Sequence, residues 1–354
     1  MRAVRTLSKG RRKKVQGRTH PKQHDLRRPD VVPVSYLGTT TDIDTQPMSA
    51  NDSINSLVTN FQERRPIRAG SLIITLYGDA IVPRGGTVWL GSLFKLLAPM
   101  GINERLVRTS VYRLTQETWL QGEKVGRRSY YSLSGPGQRR FEQAFKRVYQ
   151  GNVDTWDWGW TLVFLSQLSF AERTRIKEEL EWLGFGNFAG GVLAHPGRGR
   201  SEVLSMLHEL NVIEDAIVLR SVAEEQAVTK ALRQQVRESW NLDKLAESYT
   251  RFLDQFRPLW KHLSEEQPID DKDAFIARLL LVHEYRKIQL RDPQLPEELL
   301  PTAWEGRNAR QLCRNIYREL YQRAERWLDL HLETAEGPLP APSISFYQRF
   351  GGLQ

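Results

Sequence analysis

The sequence predicts a multidomain α+β protein, and three observations support that prediction. Residues 71–133 place short apolar helical segments between Pro/Gly turns and end in a basic hairpin. Residues 160–221 alternate apolar strand-like runs with amphipathic helical segments. From Leu242 onward, apolar residues recur at helical spacing. We therefore expect a winged helix-turn-helix, then a ferredoxin-like α+β domain, then an α-helical C-terminal domain.

The expected boundaries follow from these patterns. They are a disordered basic leader at 1–47, a winged-helix DNA-binding domain at 48–135, a connector helix at 136–150, a ferredoxin-like middle domain at 151–238, a helical domain at 239–334 and a loose Pro-rich tail at 335–354.

The third helix of the first domain should begin after Ile102, because Asn103 is a favourable N-cap residue. Val107, Val111 and Leu114 recur on one helical face and should pack inward. The opposite face carries candidate DNA-binding residues, which are Arg105, Arg108, Thr109, Tyr112, Arg113 and Gln116, with Ser110 at its margin. Arginine and glutamine can read base edges, and hydroxyl groups can hold phosphates. A merely solvated basic helix is the alternative.

A basic hairpin should follow this helix. Its predicted strands are Leu120–Lys124 and Ser129–Leu133, and the turn carries Arg127 and Arg128, which we also predict to contact DNA phosphates or the minor groove.

Three further helices are expected around this module. They cover Asn55–Glu63, Ser71–Tyr77 with an end at Gly78, and Val88–Leu97. Between the last two, Pro83–Gly86 reads as a turn, because it lacks the lysine and spacing of a phosphate-binding loop.

The segments IRAGSLIITLYGDAIVPRGGTVWLGSLFKLLAPMGINERLVRTSVYRLTQETWL and GRRSYYSLSGPGQRRFEQAFKRVY resemble the PaaX family, and the resemblance continues into the C-terminal half. This family comprises winged-helix repressors of aerobic phenylacetate-degradation genes. The resemblance implies release from operator DNA by phenylacetyl-coenzyme A and a middle domain similar to small nucleases of CRISPR spacer acquisition. Such a repressor is expected to bind DNA as a homodimer.

Charge and cysteine content narrow the class of protein. The net charge is +9, and residues 1–30 hold 11 Lys/Arg against two Asp, while residues 64–128 hold 11 against four acids. The second basic block coincides with the predicted DNA-binding module. Cys313 is the only cysteine, so no internal disulfide can form, and no Cys/His zinc spacing is present. No run of about 18 apolar residues predicts a membrane span. We expect a cytoplasmic protein without a cofactor.

The leader has two interpretations. Residues 1–47 are either a basic arm that follows DNA or upstream sequence translated from a misassigned start, since the resemblance begins only after Met48. We favour the second interpretation. An apolar signal-peptide core is lacking.

In the middle domain, strands are expected at Trp160–Leu165, Phe188–Ala194 and Ala216–Ser221, with helices at Ala171–Leu183 and Ser201–Leu210. Nuclease chemistry there would require a metal-binding carboxylate, for which Asp157 is a weak candidate among three tryptophans. Helices are also predicted at Gln138–Tyr149, Asp273–Ile288 and Arg307–Leu330.

An aryl-coenzyme A effector requires basic groups for its phosphates and an apolar pocket for its acyl group. Candidate effector-binding residues are His283, Tyr285, Arg286, Lys287 and Arg291, with aromatic surface from Trp156, Trp158 and Trp160. The alternative for each is a solvated face or core packing. No catalytic triad can be located, so we expect no enzyme. The competing hypotheses are a metal-dependent nuclease, a coenzyme A thioester hydrolase, and a non-specific nucleic-acid or protein-binding module.

Overall fold

The structure is a computed structural model that describes residues 50–150, 155–197, 199–223, 228–265 and 268–353. The predicted leader lies outside the described residues. The helices are α1 (Ala50–Gln62), α2 (Ala69–Leu76), α3 (Leu90–Leu97), α4 (Glu104–Gln116), α5 (Gly135–Phe145), α6 (Phe170–Trp182), α7 (Arg200–Glu209), α8 (Lys230–Ser239), α9 (Leu242–Ser264), α10 (Asp271–Gln289), α11 (Glu305–His331) and α12 (Ile344–Tyr347). The strands are β1 (Val88–Trp89), β2 (Leu120–Val125), β3 (Arg128–Leu133), β4 (Gly159–Phe164), β5 (Gly186–Ala189), β6 (Val192–Pro196), β7 (Ile217–Val222), β8 (Glu333–Thr334) and β9 (Gly337–Pro338).

One predicted helix in the N-terminal segment begins later than expected. Val88 and Trp89 were expected to begin a helix, but they form the short strand β1, which pairs antiparallel with β3 opposite Tyr131 and Tyr130. Strand β3 also pairs with β2, so the sheet order is β1-β3-β2. A β-branched residue followed by an aromatic one is favourable in a strand, and this preference decides the local structure ahead of α3.

The expected helix end at Gly78 is also wrong. Helix α2 continues into a π-helical turn at Tyr77–Ile81 and a short 3₁₀ turn at Val82–Arg84, and the segment ends at Gly85, whose φ is +93°. Gly78 instead permits close packing, since a Cβ atom there would lie 3.0 Å from the ring of Phe141. The glycine therefore serves helix–helix approach rather than termination.

The middle segment has the order strand, helix, strand, strand, helix, strand, which is a split βαβ arrangement. Its antiparallel sheet has the order β5-β6-β4-β7. The single strand expected at Phe188–Ala194 is in fact two strands, because Gly190 and Gly191 adopt φ values of +56° and +85° and form a two-residue hairpin turn.

The C-terminal segment is helical through α11, as its apolar spacing predicted. Leu245, Tyr249, Phe252 and Phe256 of α9 are all buried. The expectation of a loose tail is wrong, because β8 pairs with β9 and the chain then returns to the core. Buried tail residues include Phe346, Arg349, Phe350 and Leu353.

The larger hydrophobic cluster unites the N-terminal helices with the C-terminal ones; it contains, for example, Leu72, Leu93, Leu281 and Leu320. A second cluster, which includes Val163, Ile176 and Leu207, lies between the middle sheet and α6 and α7. Shared burial therefore fixes the module that carries α4 against the C-terminal helices. In the described part of the chain, no helix combines the length and apolarity needed to cross a bilayer.

Candidate functional site

Helix α4 begins where the sequence predicted. The side chain of Asn103 accepts a hydrogen bond from the Leu106 amide at 2.9 Å, and this bond caps the first turn. Val107, Val111 and Leu114 are buried against the neighbouring helices. Capping and inward packing together fix which face of α4 is presented to solvent.

The outward face of α4 is exposed and chemically suited to DNA. Arg105, Thr109, Tyr112, Arg113 and Gln116 are exposed, and Tyr112 retains 65% of its surface. Among the described residues, no hydrogen bond or ion pair engages the guanidinium of Arg105 or Arg113. Both cations are therefore available to an external anion.

Two other α4 residues depart from this arrangement. Ser110 is buried, because its position between the inward-facing Val107 and Leu114 turns it toward the core, so the prediction that it contacts DNA is wrong. Arg108 is exposed but stacks over the ring of Phe94 at 4.7 Å. This contact directs its guanidinium along the protein surface.

The β2–β3 hairpin stands beside α4. Its turn consists of Gly126 and Arg127, shorter than the predicted four-residue turn, and Arg127 is exposed. Between hairpin and helix lies a groove of about 470 Å³. Its walls include Arg108, Tyr112 and Gln116 from the helix and Lys124 and Ser129 from the hairpin.

Arg128, predicted to grip DNA, contacts the protein itself. Its guanidinium lies 3.1 Å from the carboxylate of Glu333 and 4.3 Å from the centre of the Trp89 ring. The same carboxylate lies 3.4 Å from Lys95, and the backbone amide of Glu333 donates to Ser92. Strand β8 thus brings one acid between two cations of the basic module. Arg128 nevertheless remains half-exposed.

Two of the predicted effector residues are inaccessible. His283 and Tyr285 are buried on the inner face of α10. His283 Nδ1 lies 3.0 Å from the hydroxyl of Thr75, and burial lowers the pKa of His283 to about 3. Helical geometry points these side chains into the protein, so neither forms part of an open ligand surface.

The other three residues of that set point in different directions. Lys287 pairs with Glu284 at 3.0 Å, and Arg64 pairs with the same carboxylate at 2.5 Å. Arg291 is exposed. Arg286 is half-buried and lines the larger cavity described next. The five residues therefore do not form one cluster.

A cleft of about 1230 Å³ lies among α2, α5, α10 and the middle segment. We call it the α5 cleft. Its aromatic lining consists of Trp119, Phe141, Phe145, Tyr149, Trp156 and Trp182, and its basic lining of Arg140, Lys146, Arg147 and Arg286. From the sequence, α5 was predicted only as a helix that connects two domains. In QRRFEQAFKR, basic pairs alternate with phenylalanines, and this pattern could have identified α5 as a wall of the cleft.

Of the predicted tryptophans, Trp156 lines the α5 cleft, while its ring also packs against Trp158 at 4.7 Å and Trp160 at 5.9 Å. Nearby, the carboxylate of Asp157 accepts from the amide of Gly159 and contacts Arg220. These interactions, first the amide and then the arginine, lower the pKa of Asp157. Within the described ranges, no group of three or more His, Cys, Asp or Glu side chains is placed to hold a metal ion.

Sequence reasoning missed a buried hub at Asp79. Its carboxylate lies 2.9 Å from Arg278 and 3.1 Å from Arg349, and it accepts hydrogen bonds from Tyr149 at 2.8 Å and Tyr317 at 2.9 Å. The hub connects the N-terminal segment, the π-helical turn Lys146–Gln150 that follows α5, α10, α11 and the tail. A lone acid in an apolar helix was the available sequence signal, because such a group is retained only with partners.

Three family models match successive parts of the chain between residues 68 and 330. Residues 68–137 match the family model described as PaaX-like protein, residues 153–234 the PaaX protein central Cas2-like domain, and residues 240–330 the PaaX-like protein C-terminal domain. The chain is 41% identical over 289 residues to the transcriptional repressor PaaX of Escherichia coli strain K12, which covers 81% of this chain and 92% of that protein. That relative is a repressor rather than an enzyme.

Among solved structures, the chain is similar to the uncharacterized protein Rv0674 from Mycobacterium tuberculosis. The TM-score is 0.42 at 19% identity, over 79% of this chain and 98% of the other. This likeness is too distant for a functional argument, whereas the family models and the curated relative agree with each other. The chain belongs to the PaaX family.

Proposed function

We propose that this protein is a DNA-binding transcriptional repressor that reads operator DNA with a winged helix-turn-helix. In this proposal α4 is the recognition helix and the β2–β3 hairpin is the wing. The observation that carries the proposal is the exposed face of α4 beside an open groove, where Arg105 and Arg113 have no ion-pair partner among the described residues. Arg105 and Arg113 supply the cations, and Tyr112 and Gln116 supply further donors.

The regulated genes are proposed to be those of phenylacetate catabolism, and the releasing effector an aryl-coenzyme A such as phenylacetyl-coenzyme A. The support is family membership and the identity with the E. coli repressor. An effector acts only through a difference in affinity for the DNA-competent and released states. The repressor needs no cofactor in this scheme and acts in the cytoplasm.

The protein is further proposed to act as a homodimer, because two recognition helices match two operator half-sites. Strand β7 lies at the edge of the middle sheet and exposes Ile217, Leu219 and Val222. An exposed apolar edge strand is suited to pairing with a second copy. Analytical ultracentrifugation of the full chain should therefore give twice the monomer mass, and a monomer at all concentrations would refute the dimer.

The proposed DNA contact is tested by fluorescence anisotropy with duplexes from upstream of phenylacetate catabolic genes and random duplexes of equal length. Arg113→Ala should weaken operator binding by about 1–3 kcal/mol if Arg113 reads a base. Arg251→Ala, which changes an exposed arginine of α9, is the matched control and should bind as wild type. Equal losses for Arg113→Ala on both duplexes would show that it contacts phosphate only.

The same measurement separates repression from a non-specific binding module. A specific repressor should prefer operator over random DNA by about 10³-fold or more at physiological salt. Salt-dependent binding without this preference would favour the non-specific module. Incubation with Mg²⁺ and nucleic acid, or with phenylacetyl-coenzyme A alone, should yield no product. Turnover in either assay would favour an enzyme.

A further inference from the structure

The α5 cleft is built from three separate parts of the chain. Ile74 and Thr75 come from α2, and Arg286 and Leu290 come from the end of α10. Helix α6 and the loop after β6 close the opposite side. A ligand in this space would touch the module that carries α4 and the two segments that follow it.

Arg286 is the unusual group in this cleft. Its side chain is half-buried, and burial lowers the pKa of Arg286. Among the residues that the structure describes, no carboxylate pairs with its guanidinium and no carbonyl accepts from it. Removing a cation from water without a partner is costly, and an anionic group bound in the cleft would offset that cost.

The rest of the lining has two distinct chemistries. Arg140 on α5 and Lys146 directly after it extend the positive charge, while Phe141, Phe145 and Trp156 supply apolar surface. The α6 side is acidic, with Glu178 and Glu179. This polarity would orient a ligand with its anionic groups toward α5 and α10 and away from α6. The cavity also exceeds the range of about 300–1,000 Å³ that is usual for drug-sized ligands.

We propose that the α5 cleft binds the effector as a phosphorylated aryl thioester, with Arg286 pairing a phosphate and the aryl group against the aromatic wall. The proposal rests on the proposed repressor function for the identity of the effector as a thioester, and on the lining of the cleft for the site and for the pairing of anionic and aryl groups. Arginine pairs bidentately with phosphate, and an aromatic wall favours an aryl group over a bare nucleotide.

The cleft has a physical connection to the DNA-binding module. Trp119, which follows α4, lines the cleft, and so does Tyr149, whose hydroxyl donates to Asp79 at 2.8 Å. An occupant that moves α5 would therefore act both on the end of α4 and on the buried hub. Coupling between the two sites requires that this contact differ between the DNA-competent and the released state.

The test is isothermal titration calorimetry of the full chain with phenylacetyl-coenzyme A, coenzyme A and phenylacetate. Wild type should bind the thioester most tightly and coenzyme A more weakly. Arg286→Gln should weaken binding of both by about tenfold or more. Arg291→Gln changes an arginine five residues away that does not line the cleft, so it should bind both as wild type does.

Two further readouts keep the outcomes distinct. Arg286→Gln should leave the melting temperature unchanged or raised, because it removes a half-buried cation that has no ion-pair partner among the described residues, whereas a structural role would lower it. Operator binding without thioester should be unchanged. Failure of wild type to bind the thioester, or wild-type affinity in Arg286→Gln, would overturn the assignment of the cleft as the effector site. Operator binding is measured separately, so it would still test the repressor function. Thioester binding without operator binding would leave the cleft standing and refute the proposed repressor.

Discussion

Changing Asp79 to asparagine perturbs the buried hub with the least change in shape. Asparagine keeps the volume and can still accept from Tyr149 and Tyr317, but it removes the negative charge between two arginines. Arg278 retains Glu325 at 2.6 Å, whereas Asp79 is the only carboxylate that pairs with Arg349 among the described residues. Because Arg349 is fully buried, its charge would be left without compensation.

Breaking a buried ion pair by removing one partner costs about 3–5 kcal/mol. Domains are stable by about 5–15 kcal/mol, so Asp79→Asn should lose a large fraction of the total. Urea denaturation followed by circular dichroism would measure the loss. The matched control is Asp254→Asn, which breaks an exposed pair with Arg257 at 3.3 Å and should cost less than about 1 kcal/mol. Equal, small losses in the two variants would refute the reasoning that the hub joins the tail to the N-terminal segment.

Three other substitutions test separate contacts. Asn103→Ala removes the cap on the Leu106 amide and should cost about 1 kcal/mol in urea denaturation, while Asn103→Ser should recover most of it; equal stability of Ala and Ser variants would contradict the cap. Glu333→Gln releases Arg128 and should tighten binding to random DNA at low salt but not at high salt, as read by anisotropy; unchanged affinity at low salt would show that the Glu333–Arg128 ion pair does not restrain Arg128. His283 has a pKa of about 3 when folded, so wild-type stability should fall by about 1.4 kcal/mol per unit as pH drops below about 6.5. His283→Gln should show a correspondingly shallower fall between pH 7.5 and 5, and parallel curves would contradict this burial effect.

The sequence was most informative where one periodic pattern decides the structure alone. The cap at Asn103 and the inward row of Val107, Val111 and Leu114 are local features, and the structure confirms them. Ser110 lies at the margin between the two faces of α4, where a small rotation of the helix decides whether a side chain points outward or inward. Ser110 follows Val107 by three residues and precedes Leu114 by four, and these intervals place it on the same inward face.

Long-range contacts were beyond the reach of the sequence. The prolines and glycines of the tail lack periodicity and so predict a loose segment, yet Arg349 returns to contact Asp79, 270 residues earlier in the chain. The ion pairs of Glu333 with Arg128 and Lys95, and the α5 cleft, likewise join segments that are distant in sequence. The sequence of α10 identifies its polar residues. Only the packing of the folded chain shows that His283 is buried while Arg286 lines the α5 cleft.

The most direct test of the proposed recognition helix is affinity cleavage of operator DNA by a reagent attached through Glu117→Cys, at the exposed end of α4. The native Cys313 is buried, so labelling should be selective. We expect two clusters of cuts in a dimer complex, about one helical turn or a multiple of it apart. Cuts spread evenly along the duplex, from a labelled protein that still binds with wild-type affinity, would contradict it.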